Sequence, residues 1–207
     1  MRQHQESDKN TSLIQTARGL GCADICYSNA EVFNPFTGGW QHTSFSVKNG
    51  MVVGAGIARA HRSVDLKGRR VIPGLIDAHV HIESSLLSPP EFARLVSVHG
   101  TTTVIADPHE IANVAGADGL RFMLAEREGA AADIRYMLPS CVPATPTEPG
   151  GAVLDAGALR PFAGREGILG LGEMMNVPGV LAGDPEIMRK LALSPIRDGH
   201  APHLAGK

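Results

Sequence analysis

The segment 73–83, Pro-Gly-Leu-Ile-Asp-Ala-His-Val-His-Ile-Glu, places two histidines two residues apart at the end of an apolar run. Alternate residues of a β-strand project from the same face, so His79 and His81 can reach one point. Imidazole nitrogens bind a metal ion at about 2.0–2.1 Å. Two strand histidines can also be ordinary polar neighbours, but the strand end and the adjacent Glu83 favour a metal site. Glu83 would handle protons or pair with a ligand histidine.

From residue 73 onward, apolar segments alternate with amphipathic ones. Strands are predicted at 73–82, 101–106, 134–138 and 168–173, and helices at about 90–99, 117–128, 155–162 and 185–193. Repeated strand–helix units give parallel strands with right-handed crossovers. The predicted fold class is therefore α/β, in the form of a partial (β/α)8 barrel containing about strands one to five. A doubly wound sheet is disfavoured because no glycine-rich phosphate loop opens a helix.

The chain before residue 73 predicts a different architecture. Residues 17–72 contain short candidate strands and turns, with a strong hairpin signal at Asn49-Gly50, and predict a small β domain. Residues 1–16 are polar, lack the apolar centre of a signal peptide and are expected to be a disordered tail. Residues 73–207 would then be the N-terminal portion of the barrel, incomplete because a whole barrel takes about 250 residues.

Composition excludes several classes of function. A net charge of -2 argues against a nucleic-acid partner or a membrane surface. No apolar run reaches the ~18 residues of a membrane span. Three cysteines (Cys22, Cys26 and Cys141) form no framework and fit a reducing compartment, so we expect a cytoplasmic protein.

Further candidates for a site follow the later strands. Asp107, His109 and Glu110 come directly after the second strand; they would bind substrate or orient the metal site, or else form a helix cap and turn. Glu173, after Gly-Leu-Gly, stands where a carboxylate could bridge two ions, or instead caps a helix or lies at the surface. His200 would end a fifth strand and add another imidazole. Such donors suit Zn, Mn or Fe, and water activated at the centre would hydrolyse C–N bonds.

The histidine motif resembles the opening signature of the amidohydrolase superfamily. Four separated strings resemble its adenine deaminase family in particular: His-Ile-Glu-Ser-Ser from residue 81, Gly-Thr-Thr-Thr-Val-Ile-Ala-Asp-Pro-His-Glu ending at 110, Leu-Gly-Glu-Met-Met-Asn ending at 176, and Asp-Gly-His-Ala-Pro from 198. The resemblance implies a metal-dependent-hydrolase barrel flanked by a β domain. It also implies conversion of adenine and water to hypoxanthine and ammonia, a step of purine salvage.

The resemblance further implies a binuclear divalent metal centre, usually Mn or Fe, with Zn as another option. His79 and His81 would bind one ion, Glu173 would bridge both, and His200 would bind the second. Family members also carry a later histidine and an aspartate on the last strand, and neither is present in these 207 residues. The chain therefore looks truncated, and we expect it to be inactive or nearly so on its own.

Other interpretations stay open. The chain could belong to another metal-dependent amidohydrolase that acts on cyclic amides, or to a sugar deacetylase; lysine in place of Glu173 would favour some of these. It could also be a non-catalytic gene fragment that binds metal weakly or associates with a partner. Every enzymatic interpretation implies a small-molecule substrate. Each is also compatible with a homo-oligomer.

Overall fold

The computed structural model describes residues 2–56, 59–145 and 147–198. The chain divides into two compact units, Met1–Pro73 and Gly74–Lys207. Each unit has its own sheet, and the two sheets differ in topology. The units are therefore described separately.

The first unit is a mixed sheet accompanied by one helix, with two antiparallel and two parallel strand pairs. Its elements are α1 (Arg2–Ala17), β1 (Ala23–Asn34), β2 (Gly39–Lys48), β3 (Met51–Ala55), β4 (Ala60–Asp65) and β5 (Arg70–Val71). The sheet order is β3-β2-β1-β4, with β5 also paired to β1. Asn49 and Gly50 both adopt positive φ (51° and 76°), which a tight hairpin between β2 and β3 requires.

Helix α1 differs from the expected disordered tail, so that prediction is wrong for the described residues 2–16. The segment contains several good helix formers, among them Gln, Glu, Lys, Arg and Leu, and no Gly or Pro. The helix also contacts β3, and Thr16 near its end is buried and donates its hydroxyl to the carbonyl of Ser12. Tertiary contact therefore supports a helix whose polar composition alone suggested disorder.

The second unit alternates strands and helices. Its elements are β6 (Leu75–Val80), a 3₁₀ turn (Glu83–Ser85), α2 (Pro89–Ser97), β7 (Thr101–Ala106), α3 (His109–Glu126), β8 (Asp133–Leu138), α4 (Ala156–Leu159), a second 3₁₀ turn (Arg160–Phe162), β9 (Ile168–Leu171), α5 (Val177–Ala182) and α6 (Pro185–Leu191). The four strands pair in parallel in the order β6-β7-β8-β9, as the sequence predicts for repeated βα units.

A fifth chain segment continues this sheet beyond β9. Arg197 forms a parallel bridge with Leu171. The amide of Leu171 donates to the carbonyl of Ile196 at 3.0 Å, and the amide of Asp198 donates to the carbonyl of Leu171 at 2.8 Å. The carboxyl ends of five successive parallel segments therefore lie along one edge of the sheet.

The helix boundaries depart from the sequence predictions in two places. Helix α3 begins at His109 rather than near residue 117, and Gly116 inside it has a positive φ of 58° that kinks it. Helix α5, which the sequence did not predict, is six residues long; Asn176 caps its start and Gly183, in the left-handed region, ends it. None of the helices among the described residues has the length and apolar character to cross a membrane.

Buried side chains on the strands and helices form the core of the second unit. One cluster combines Phe92 and Ala93 of α2, Val104 and Ala106 of β7, Met123 of α3, and Ile134 and Tyr136 of β8. Another combines Leu120, Leu138, Phe162 and Leu171. Helices α2 and α3 thus pack on the sheet, which fixes the strand ends that carry the polar residues described below.

Truncation of Leu120 tests this packing. Because its side chain is fully buried, we expect Leu120→Ala to lower the free energy of unfolding by about 2–5 kcal/mol. Val114→Ala on the same helix is the control, since that side chain is 79% exposed and its loss should change stability by less than about 0.5 kcal/mol. Chemical denaturation of both variants measures the difference, and equal stabilities would contradict the described core.

Candidate metal centre

His79 lies near the end of β6, and His81 follows the strand by one residue. Beyond Val80 the chain stays beside β7, because the carbonyl of Val80 accepts a hydrogen bond from the amide of Asp107. The two imidazoles lie at the same sheet edge, with their ring centroids 4.9 Å apart. The structure thus brings together the pair that the alternation of a β-strand predicts.

Each of these rings is held through its δ nitrogen. Nδ1 of His79 lies 2.5 Å from a carboxylate oxygen of Asp198. Nδ1 of His81 lies 2.8 Å from the backbone carbonyl oxygen of Asp107. Because both oxygens are acceptors, each δ nitrogen carries a hydrogen, and in the neutral ring the lone pair is then on Nε2. An imidazole anchored in this way is typical of a metal ligand.

The two ε nitrogens and one carboxylate converge on a common point. Nε2 of His79 and Nε2 of His81 are 3.1 Å apart. Oε1 of Glu173 lies 2.6 Å from the first and 3.7 Å from the second. Two ligands about 2.1 Å from one ion are separated by about 3.0–3.4 Å at octahedral to tetrahedral angles, so the two ε nitrogens have the spacing of neighbouring ligands, and the carboxylate oxygen lies at hydrogen-bond distance from one of them.

The charge of this cluster also fits a cation. Glu173 is 6% exposed, and a carboxylate at that depth needs a positive partner. Burial opposes charge on His79, but its hydrogen bond with Asp198 and the neighbouring carboxylates of Glu173 and Asp107 outweigh it and raise the pKa of the ring. These neighbours favour a positive charge at this point, and a divalent cation would supply it.

The backbone around Glu173 is held close to β7. The amide of Glu173 donates to Oδ2 of Asp107 at 2.9 Å. The preceding residue is Gly172, where a β-carbon would come within 2.3 Å of that same carboxylate oxygen. Glycine is thus needed at this position because the chain approaches the Asp107 side chain so closely.

A second donor group, formed by Asp107, His109 and Glu173, adjoins the first and shares its carboxylate. Asp107 is fully buried, and its Oδ1 has no hydrogen-bond partner among the described residues. Nδ1 of His109 is 3.7 Å from that oxygen. Asp107, together with the sulfur of Cys141, raises the pKa of His109 to about 11. His109 is therefore protonated at neutral pH and offsets the buried negative charge.

The other two predicted catalytic carboxylates are Glu83, in the first 3₁₀ turn, and Glu110, in the first turn of α3. Oε1 of Glu83 accepts the amide hydrogen of Ile111 in the first turn of that helix. Burial raises the pKa of Glu83 above its ordinary value. Glu110 is hydrogen-bonded to the hydroxyl of Ser84 at 2.7 Å and is absent from both donor groups. His200, the predicted ligand of a second ion, lies outside the described residues.

The sequence interpretation missed two residues that hold the centre. Asp198 anchors His79 from the segment beside β9, and Ser140 follows β8 and donates its hydroxyl to the backbone carbonyl of Glu173 at 2.5 Å. The signal for Asp198 was its place two residues before His200, at the end of the expected fifth strand. No sequence signal pointed to Ser140, because a serine in a loop is usually a turn residue.

Similarity to known proteins shows the family of this chain. The model of the Amidohydrolase family matches residues 70–197, which include β6 to β9 and the donors described above. The chain belongs to the amidohydrolase family. It is 62% identical over 198 residues to an adenine deaminase of Methanoregula boonei, covering 95% of this chain and 36% of the relative. An adenine deaminase of Nitratidesulfovibrio vulgaris is 50% identical over 199 residues, covering 94% and 35%.

These matches confirm the resemblance to the adenine deaminase family, and this amidohydrolase chain spans about a third of the length of the curated relatives. A solved structure shares its fold: N-acyl-D-glutamate deacylase from Bordetella bronchiseptica, complexed with zinc and a phosphonate inhibitor. The TM-score is 0.57 at 16% identity, and the likeness covers 86% of this chain and 45% of that one.

The elevated pKa of His109 predicts a pH-dependent contribution to stability. The pKa is about 11 in the folded chain against an ordinary 6.5, so the contribution is full below pH 6.5 and disappears as pH rises towards 11. We expect His109→Gln to be less stable than the parent chain near neutral pH, with a difference that shrinks at alkaline pH.

Denaturation in the presence of a chelator, across that pH range, measures the difference. His99→Gln is the control, because His99 is exposed in the turn before β7. A gap between the His109 variant and the parent chain that stays constant with pH would contradict the assignment of a charged imidazole.

Proposed function

We propose that this chain carries the metal-binding part of an adenine deaminase active site, built on a partial (β/α)8 barrel. The observation that carries the proposal is the convergence of His79, His81 and Glu173, whose ligand atoms all lie within 4.8 Å of one another. The parallel order of β6 to β9, continued by Arg197, supports the barrel, since such strands gather functional residues at their carboxyl ends. Identity of up to 62% with curated adenine deaminases supports the substrate.

The donor set supports two ions rather than one. Glu173 belongs to both donor groups, with His79 and His81 on one side and Asp107 on the other; the protonated ring of His109 lies beside Asp107 and would bind an ion only after losing its proton. A carboxylate between two such groups is suited to bridge two cations. The proposed centre holds two Mn ions or two Fe ions, since imidazole and carboxylate donors suit either metal. His200 is the proposed ligand of the second ion.

The residues around the centre have separate proposed roles. A bound divalent cation supplies Lewis acidity and lowers the pKa of water. Asp107 and His109 would hold and transfer protons near the reacting atoms, since Oδ1 of Asp107 is free to accept one and His109 carries one to give. Glu83 and Glu110 would act at the start of α3, where they order the turn that presents His109.

A second candidate function stays within the family. The structural neighbour is a deacylase, so the shared fold hosts more than one hydrolysis and does not by itself select the substrate. Sequence identity to the adenine deaminases favours a purine amidine over a cyclic amide. The two candidates differ in the leaving group, since only the first releases ammonia from adenine.

The metal site is tested by calorimetric titration of the purified chain with Mn²⁺ and with Co²⁺. We expect saturable binding by the parent chain. His79→Ala, His81→Ala and Glu173→Gln should each weaken it by more than about 100-fold, since each removes a direct ligand rather than an outer partner.

His42→Ala is the control for these variants, because that exposed histidine lies on β2 of the first unit. Loss of binding in the control, or unchanged binding in the three ligand variants, would place the metal elsewhere.

Adenine deamination is tested in the context of a full-length relative. The chimera replaces the 198 matched residues of the Methanoregula boonei enzyme with those of this chain. We expect it to release ammonia from adenine, with Glu173→Gln abolishing turnover and His109→Gln lowering kcat by roughly 10²–10⁴-fold, the usual contribution of an acid–base group.

Two outcomes would count against this function. A folded, metal-loaded chimera that is inactive while the unmodified relative is active would refute the assignment of adenine as substrate. Ammonia released from cytosine, or hydrolysis of a cyclic ureide without action on adenine, would favour the second candidate.

A further inference from the structure

The peptide that carries Glu173 is held from both sides by buried side chains. Residues 172–176 belong to no helix or strand, so backbone pairing does not fix their course. The amide of Glu173 donates to Asp107, and its carbonyl accepts the hydroxyl hydrogen of Ser140 at 2.5 Å. Ser140 is 3% exposed, so water does not compete for this hydrogen bond.

Ser140 is held in turn by a buried lysine. Nζ of Lys190, on α6, donates to the backbone carbonyl of Ser140 at 3.0 Å. Lys190 is 8% exposed, and its burial lowers the pKa of the amine. Burying a lysine is costly unless its amine is hydrogen-bonded, so its presence at this position calls for an explanation.

We propose that Ser140 and Lys190 are positioning residues that aim the carboxylate of Glu173 at His79 and His81. The proposal rests on the metal site of the proposed function. Lys190 fixes the peptide of Ser140, whose hydroxyl fixes the peptide of Glu173. The connection therefore runs from α6 through the loop after β8 to the ligand itself.

The contacts point to positioning rather than to packing alone. The hydroxyl of Ser140 reaches the carbonyl of the ligand residue, and Asp107 holds the same residue through its amide. Two hydrogen bonds on opposite sides of one Cα restrict rotation of that backbone. A rotation there would move Oε1 away from a point 2.6 Å from Nε2 of His79. Outer hydrogen-bond partners of metal ligands typically change affinity by about 10–100-fold when removed.

The experiment uses the full chain, titrated with Co²⁺, whose visible absorption reports coordination geometry. We expect Ser140→Ala to weaken Co²⁺ binding by roughly 10–100-fold and to alter the absorption spectrum. Lys190→Met, which keeps the length of the side chain, should produce a smaller loss in the same direction. Ser140→Thr restores the hydroxyl and should recover most of the affinity.

Val142→Ala is the matched control, because Val142 is fully buried in the same loop and has no described hydrogen bond to Glu173. It should lower the melting temperature of the metal-free chain without changing Co²⁺ affinity. Parent and Ser140→Ala chains that bind Co²⁺ equally well would overturn the positioning role and leave the metal site intact. A parent chain that binds no Co²⁺ would overturn the metal site and the positioning role together.

Discussion

The anchoring of two imidazoles through their δ nitrogens is the interaction on which the site depends. Asp198 holds His79, and the backbone carbonyl of Asp107 holds His81. Both ε nitrogens then face the same carboxylate oxygen of Glu173. Three electron-rich atoms so close together repel one another unless a positive charge lies among them, so the fold itself creates a demand for a proton or a cation.

Parallel pairing explains how residues distant in sequence meet at this point. The donors come from the ends of β6, β7 and β9, and Asp198, which anchors His79, comes from the segment beside β9. The helices pack on the sheet through apolar side chains and leave the carboxyl edge to polar groups. Glycine at 172 permits the close approach of two of these ends.

The periodicity of apolar residues predicted where strands and helices alternate along the second unit. It also predicted that His79 and His81 lie close together, because alternate residues of a strand share a face. The helix at residues 2–17 was not predictable from its polar composition, since contact with β3 contributes to it. Likewise, Ser140 and Lys190 gave no signal, because a hydrogen bond between residues fifty positions apart exists only after the chain has folded. The role of Glu83 as a cap on α3 also required the structure.

Asp107 is a buried polar residue that contacts two of the candidate ligands. Asp107 meets the site directly through two different groups, its side chain to the amide of Glu173 and its carbonyl to His81. It therefore couples the two ligands, so that a shift of its backbone would move one and a shift of its carboxylate would move the other. Asp107 is fully buried, and its Oδ1 has no hydrogen-bond partner among the described residues. Asp107 follows β7 directly, and His109 and Glu110 form the first turn of α3, so this short stretch brings all three to the carboxyl edge of the sheet.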